Sequence, residues 1–231
     1  AEAEEAVQLF ISRDPQTIHR QVEKLIHYNT DRKQKQEDAY KRGLAILEEE
    51  GREEDFIVLP MTDIHEGVGG IVAGKIKEEK NRPIVIVTPS GEGFLKGTGR
   101  SIDPVDIYAV LKKCDDTYGL FERFGGHRSA CGFLMAEEKL SLLRQAVQEQ
   151  MDVLKAEDPH IFDSNVTWDL ELDPAEVTVD LAETLDQLEP FGKDNERPKF
   201  LLRDVTLQGV RFMGADETHA RFTAVSQAGA R

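Results

Sequence analysis

Two short stretches of this chain carry the residue types that hold phosphate. In Gly125-Gly126-His127-Arg128-Ser129-Ala130-Cys131-Gly132 a bare glycine pair precedes a histidine, and small residues follow. Glycine has no Cβ, so successive backbone N–H groups can turn toward an anion, with an imidazole N–H beside them. Upstream, Lys96-Gly97-Thr98-Gly99-Arg100-Ser101 combines two glycines with Lys, Arg, Thr and Ser donors. A guanidinium matches phosphate oxygens bidentately, and the hydroxyls add neutral donors. Each stretch alone also reads as an ordinary turn: the first between Phe124 and the apolar run 130–135, the second as a hairpin end with a surface arginine. If both serve one surface, they must lie side by side at one sheet edge. His127 and Arg100 would then face a common cleft opening toward residues 1–40.

The side chains for hydrolysis at phosphorus are a different matter. Two divalent metals need clustered Asp and His ligands. The nearest imitations are Asp63-Ile64-His65-Glu66 and Asp158-Pro159-His160, and His65-Glu66 has no second histidine four residues on, as a zincin requires. His19, His27 and His219 stand alone. Cys114 and Cys131 have neither zinc-site nor disulfide-framework spacing, which fits a reducing cytoplasm. This chain alone is therefore expected to hold no catalytic metal and to have no nuclease activity.

The elements that must position these residues follow from periodicity. Asp14-Pro15 starts a helix whose apolar positions Ile18, Val22, Leu25 and Ile26 continue through Ala39, Leu44 and Leu47 to about residue 50. Residues 56–61, 67–80 and 83–87 read as strand, helix, strand. A helix at 107–111 and a strand at 130–135 running into a helix at 137–154 complete an α/β domain, a mixed sheet with flanking helices and both glycine stretches at strand ends. Periodicity lapses at Asp158-Pro159. Beyond it Val166 to Leu172 alternates like a strand, 181–188 is helical, and 199–212 and 218–225 are strand-like. The predicted divisions are 1–52, 53–157 and 164–231.

The ordered motifs resemble a known family. Ile64-His65-Glu66-Gly67-Val68-Gly69-Gly70-Ile71-Val72-Ala73, Arg82-Pro83-Ile84-Val85, Lys96 to Ser101 and Phe124 to Gly132 follow the order of the DHH-associated domain of RecJ-type single-strand exonucleases. Pro190-Phe191-Gly192-Lys193-Asp194-Asn195-Glu196-Arg197-Pro198 resembles the element that opens the oligonucleotide-binding (OB) fold of the same proteins. Here Ile64 stands where the family has Trp, Arg128 and Cys131 stand where it has Ala, and Asp194 and Glu196 replace Gly and Pro.

The resemblance implies a long connecting helix, a DHH-associated domain and a partial OB-like barrel. Together they would be the substrate-binding portion of a 5′-to-3′ single-stranded DNA exonuclease of DNA repair and recombination. It implies that His65, Thr98, Gly99, Arg100, Ser101, Gly125, Gly126, His127 and Arg128 grip the substrate. Mn²⁺ or Mg²⁺ would be carried by a DHH domain of the same polypeptide, which is the expected partner besides single-stranded DNA. The alternatives are a DHH-type phosphodiesterase acting on short oligonucleotides or dinucleotides, and an inactive nucleic-acid-binding scaffold; the Pro190-Phe191-Gly192 element favours the exonuclease.

Charge sets a further condition. The 231 residues carry a formal charge of −15, against coating duplex DNA through bulk positive charge. Residues 137–190 hold 15 acids against 3 Lys or Arg, whereas residues 191–231 hold 7 bases against 5 acids. DNA can be met only through local basic features such as the two glycine stretches and Arg32-Lys33-Gln34-Lys35. No apolar run is long enough to span a membrane. The start Ala1-Glu2-Ala3-Glu4-Glu5 reads as a cut inside a longer protein.

Overall fold

The computed structural model describes residues 3–51, 53–64, 66–163, 167–192, 194–214 and 217–226. The sequence-predicted contributions of His65, Val166 and Lys193 lie outside the described residues. The chain divides into two compact units, residues 1–164 and 165–231.

In the first unit a short helix α1 (Ala3–Ile11), not foreseen from the sequence, precedes α2 (Pro15–Glu50). Helix α2 starts as Asp14-Pro15 predicts: the Asp14 carboxylate accepts from Thr17 N–H, and proline occupies the first turn, where its missing donor costs nothing. It ends at Gly51, whose φ of 57° closes the last turn. At 1.5 Å per residue this helix is roughly 54 Å long. Its last third packs apolar side chains on the domain, through Ala39, Tyr40, Leu44 and Leu47, and Glu37 just before pairs with Lys75 of α3 at 3.0 Å.

The sheet has five strands: β1 (Ile57–Pro60), β2 (Ile84–Pro89), β3 (Phe94–Arg100), β4 (Phe121–His127) and β5 (Ala130–Ala136), in the order β1-β2-β3-β5-β4. β1 and β2 are parallel, joined by α3 (Glu66–Lys80), and the other pairs are antiparallel, so the sheet is mixed as expected. One face is covered by α4 (Ile107–Tyr118) and α5 (Leu140–Glu157), with Phe56, Val85, Phe133, Met135, Ile107, Leu111, Leu143 and Met151 in its core. The other is covered by α2 and α3 only over β1, β2 and the near side of β3, where Ile57, Leu59, Ile84 and Ile86 meet Val72, Ala73 and Ile76. Strand β1 lies at the sheet's edge and is closed by α5, from which Arg144 and Gln148 donate to the carbonyls of Val58 and Phe56 at 3.0 Å each.

The two glycine stretches are strands, which corrects their expected place in loops at strand ends. Residues 94–100 form an interior strand because small residues alternate with polar ones. Buried Gly97 and Gly99 point to the α4 side, and half-buried Lys96, Thr98 and Arg100 point away. A Cβ on Gly97 would stand 2.1 Å from the Phe133 ring, and one on Gly99 would stand 2.6 Å from Cys131 Sγ and 2.8 Å from Ile107 Cδ1. The glycines leave room for the core beneath them. Residues 125–127 belong to edge strand β4, and Arg128-Ser129 forms the hairpin turn to β5. Tyr108, Phe124, Phe121 and Phe133 stack in series beside this edge, with ring centroids 4.9, 5.2 and 4.4 Å apart.

The second unit holds a parallel pair, β6 (Leu170–Glu171) with β7 (Phe200–Leu201), helix α6 (Val179–Asp186), and a hairpin of β8 (Val205–Met213) with β9 (His219–Ser226). Among the described residues these are two separate ladders, without barrel closure. No described helix is long and apolar enough to cross a membrane.

Two outcomes test this packing. Gly97→Ala drives a methyl into the Phe133 ring and is expected to cost about 1–3 kcal/mol, lowering the thermal midpoint, with part of the loss recovered in Gly97→Ala/Phe133→Leu. Burial pushes the thiols of Cys114 and Cys131 up to about 12, so at pH 8 roughly one in 10⁴ is thiolate. A chromogenic aromatic disulfide should label neither cysteine in the native chain at pH 8 and both after denaturation.

Candidate nucleic-acid interface

The register of the sheet brings four of the predicted residues, Thr98, Arg100, Gly125 and His127, onto one face. Arg100 of β3 and His127 of β4 both pair with Ala130 of β5, which lies between them. Thr98 and Gly125 likewise flank Gly132, and Lys96 and Arg123 flank Leu134. Residues directly opposite each other point to the same side of a sheet, so these nine form three cross-strand rows. With strands about 4.8 Å apart, Arg100 and His127 stand roughly 10 Å apart on either side of β5.

This is the face that α2 and α3 leave open. Gly125, His127, Arg123 and Gly132 are exposed, and Thr98, Arg100, Lys96 and Ala130 are half-buried. Glycine and alanine give a flat floor, and Lys96, Arg100, Arg123 and His127 rise around it. None of the residues that the register of β2, β3, β5 and β4 puts on this face is Asp or Glu; Glu122 falls in the bulge between Phe121 and Arg123. On a chain with a net charge of −15 this is a local inversion of sign.

Each predicted residue has a distinct setting. Arg100 donates from Nη1 to Gly99 O at 2.8 Å and has no carboxylate partner among the described side chains. His127 Nδ1 lies 3.2 Å from Ser129 Oγ and 3.4 Å from Ser129 N, which turns Nε2 outward as a donor in the tautomer that accepts at Nδ1. Gly126 has φ 152°, and a Cβ there would stand 2.4 Å from Ala130 O, so the edge strand closes on β5 only with glycine. Nothing lies within 4 Å of a Cβ on Gly125, which is open floor.

Three residues have other tasks in this structure. Ser101 is 5% exposed and its hydroxyl donates to Val105 O at 2.7 Å, holding the turn into α4. Arg128 donates to Asp103 O at 2.6 Å from the hairpin turn, beyond the three rows. Gly99 lies on the core side. His65 is outside the described residues. Arg123 and the Gly132 floor were missed as site residues in the sequence; the signal was the two-residue spacing of 123, 125 and 127, which a loop reading hides.

A cleft of about 360 Å³ between α2 and the start of α3 is lined by Tyr28, Arg32, Lys35 and Gly67, with Lys35 paired to Asp31 at 2.8 Å. The interface offers cationic and neutral donors and a glycine floor, suited to phosphate oxygens. It does not suit divalent metals: its charged side chains are cations, and no three His, Cys, Asp or Glu among the described residues converge as ligands.

Known proteins match on the same footing. A DHHA1 domain match spans residues 53–152, and a RecJ OB domain match spans residues 168–230. The single-stranded-DNA-specific exonuclease RecJ of Escherichia coli (strain K12) is 38% identical over 137 residues, 59% of this chain and 23% of that protein. RecJ of Thermus thermophilus, solved in complex with Mg²⁺, superposes with a TM-score of 0.74 at 30% identity over 96% of this chain and 33% of that one. Its complex with Mn²⁺ gives a TM-score of 0.75 at 30% identity, covering 96% of this chain and 32% of that one. The chain thus spans about a quarter of the curated relative and a third of the solved ones. It carries a DHHA1 domain followed by a RecJ OB domain and is homologous to the C-terminal part of the RecJ exonucleases.

Proposed function

We propose that this chain is the substrate-gripping part of a RecJ-type 5′-to-3′ single-stranded DNA exonuclease of DNA repair and recombination. The observation that carries the reading is the acid-free, cationic sheet face on an otherwise acidic chain. Arg100 presents its guanidinium to phosphate oxygens, His127 donates from Nε2, and Thr98 adds a hydroxyl from the next row on β3. Lys96 and Arg123 supply longer-range attraction. The Gly125, Gly132 and Ala130 floor lets the sugar-phosphate backbone come close, and side chains of ordinary size would hold it off. Gly126 contributes by shaping the edge strand, and Gly99 and Ser101 by shaping the core side and the turn beneath it.

Phosphoryl transfer belongs outside this surface. In the Thermus relative Mg²⁺ and Mn²⁺ are bound, and here we assign such metals to a DHH domain of the same polypeptide. The apolar side chains of Phe10, 86% exposed, Ile11 and Ile26 on α1 and α2 give that domain a place to dock. The OB match favours a long single strand over a dinucleotide as substrate, since a second strand-binding domain adds nothing to the grip on two nucleotides. Function in a cytoplasm accords with the buried, unpaired thiols.

Binding of a fluorescent single-stranded oligonucleotide by the 231-residue chain tests the reading. Arg100→Ala and His127→Ala are each expected to weaken it by about tenfold to a hundredfold with unchanged melting. For every phosphate that a variant no longer neutralises, the slope of log affinity against log salt should flatten by about 0.7. Unchanged affinity and slope in both variants would return the face to an ordinary sheet surface.

A further inference from the structure

Helix α3 turns Gly70 toward Arg100. A Cβ on Gly70 would stand 2.8 Å from Arg100 Nη2, 3.5 Å from Arg100 Cζ and 3.3 Å from Thr98 Cγ2. The guanidinium therefore lies against bare helix backbone, while its other nitrogen, Nη1, is tied to the Gly99 carbonyl at 2.8 Å. Glycine is among the poorest residues in a helix interior, so its presence in the second turn of α3 has to be offset elsewhere. Gly74, one turn later, is a contrast: a Cβ there would meet nothing within 4 Å.

Among the described side chains no carboxylate pairs with this guanidinium, and the donors that Gly99 O does not take suit an anion on the open face. We propose that Gly70 is a positioning residue for the substrate phosphate: it forms the slot that lays the Arg100 guanidinium flat against α3, with its free edge turned toward Thr98 and His127. This rests on the reading of the face as a phosphate-binding surface and adds to it the element that aims its principal donor. An alanine methyl would push Nη2 out of the slot and break its alignment with the open face. The displaced group is the far end of a flexible side chain, so the fold is left intact while bidentate geometry is lost.

The test compares the full chain with its Gly70→Ala, Gly74→Ala, Arg100→Ala and Gly70→Ala/Arg100→Ala variants, by anisotropy with a fluorescein-labelled oligothymidylate and by thermal melting. Gly70→Ala is expected to weaken binding about three- to tenfold without lowering the melting temperature. Gly74→Ala should bind like the parent, and the double variant should bind no more weakly than Arg100→Ala alone. If Arg100→Ala is weak while Gly70→Ala binds like the parent, the slot is refuted and the phosphate-binding reading stands. Equal weakening by Gly74→Ala also refutes it, because the effect would then come from the helix. Parental affinity in Arg100→Ala sinks the phosphate-binding reading and the slot together. Should Gly70→Ala melt lower, recovery in the double variant supports competition for one space, and no recovery refutes it.

Discussion

Strand β3 has to satisfy two different neighbours at once, and the rest of the domain is arranged around that constraint. On one side it meets Phe133, Cys131 and Ile107 at distances that only hydrogen atoms can fill, so positions 97 and 99 are glycine. On the other it meets α3 along half of its width and solvent along the rest, so positions 96, 98 and 100 are free to be polar. The period of two in a strand makes these one decision. A one-residue slip would put Arg100 into the apolar core and Gly99 onto the surface, exchanging a half-buried cation on the open face for an unpaired buried charge.

From that constraint the charge pattern follows. A chain of net charge −15 repels nucleic acid over most of its surface, and within a Debye length of about 8 Å local charges outweigh the total. The β3–β5–β4 face answers by excluding carboxylates altogether. Its basic side chains lie on two strands, β3 and β4, with β5 between them fixing their spacing. Small residues at 125, 130 and 132 keep them from being crowded, and the strained approach at Gly126 holds the hairpin that carries His127 close to β5.

Much of this was legible in the sequence. The Asp14-Pro15 cap, the long helix and the strand-helix-strand unit could be read from residue type and spacing, as could the two stretches that bring Arg100, His127 and Thr98 to one face. What could not be read was where the glycines point. Gly-x-Gly in a polar context signals a phosphate loop or a strand lying under an aromatic ring, and only the partner strand, with Phe133 opposite Gly97, decides between them. Ser101 was misjudged for a related reason: hydroxyls serve turns as readily as ligands, and its acceptor, Val105 O, is fixed by the fold of the following turn. Arg123 escaped notice because its membership of the site depends on register with Leu134, roughly 36 Å away along an extended chain.

The central claim is that the open face of the sheet, and no other part of this domain, receives the strand. Amide chemical-shift mapping of the full chain during titration with a short single-stranded oligonucleotide tests it most directly. The account predicts that, within residues 53–157, the largest shifts fall at 96–100, 123–127 and 130–134 and spread to the start of α3. Shifts concentrated on α4 and α5, with those three segments unmoved, would contradict it.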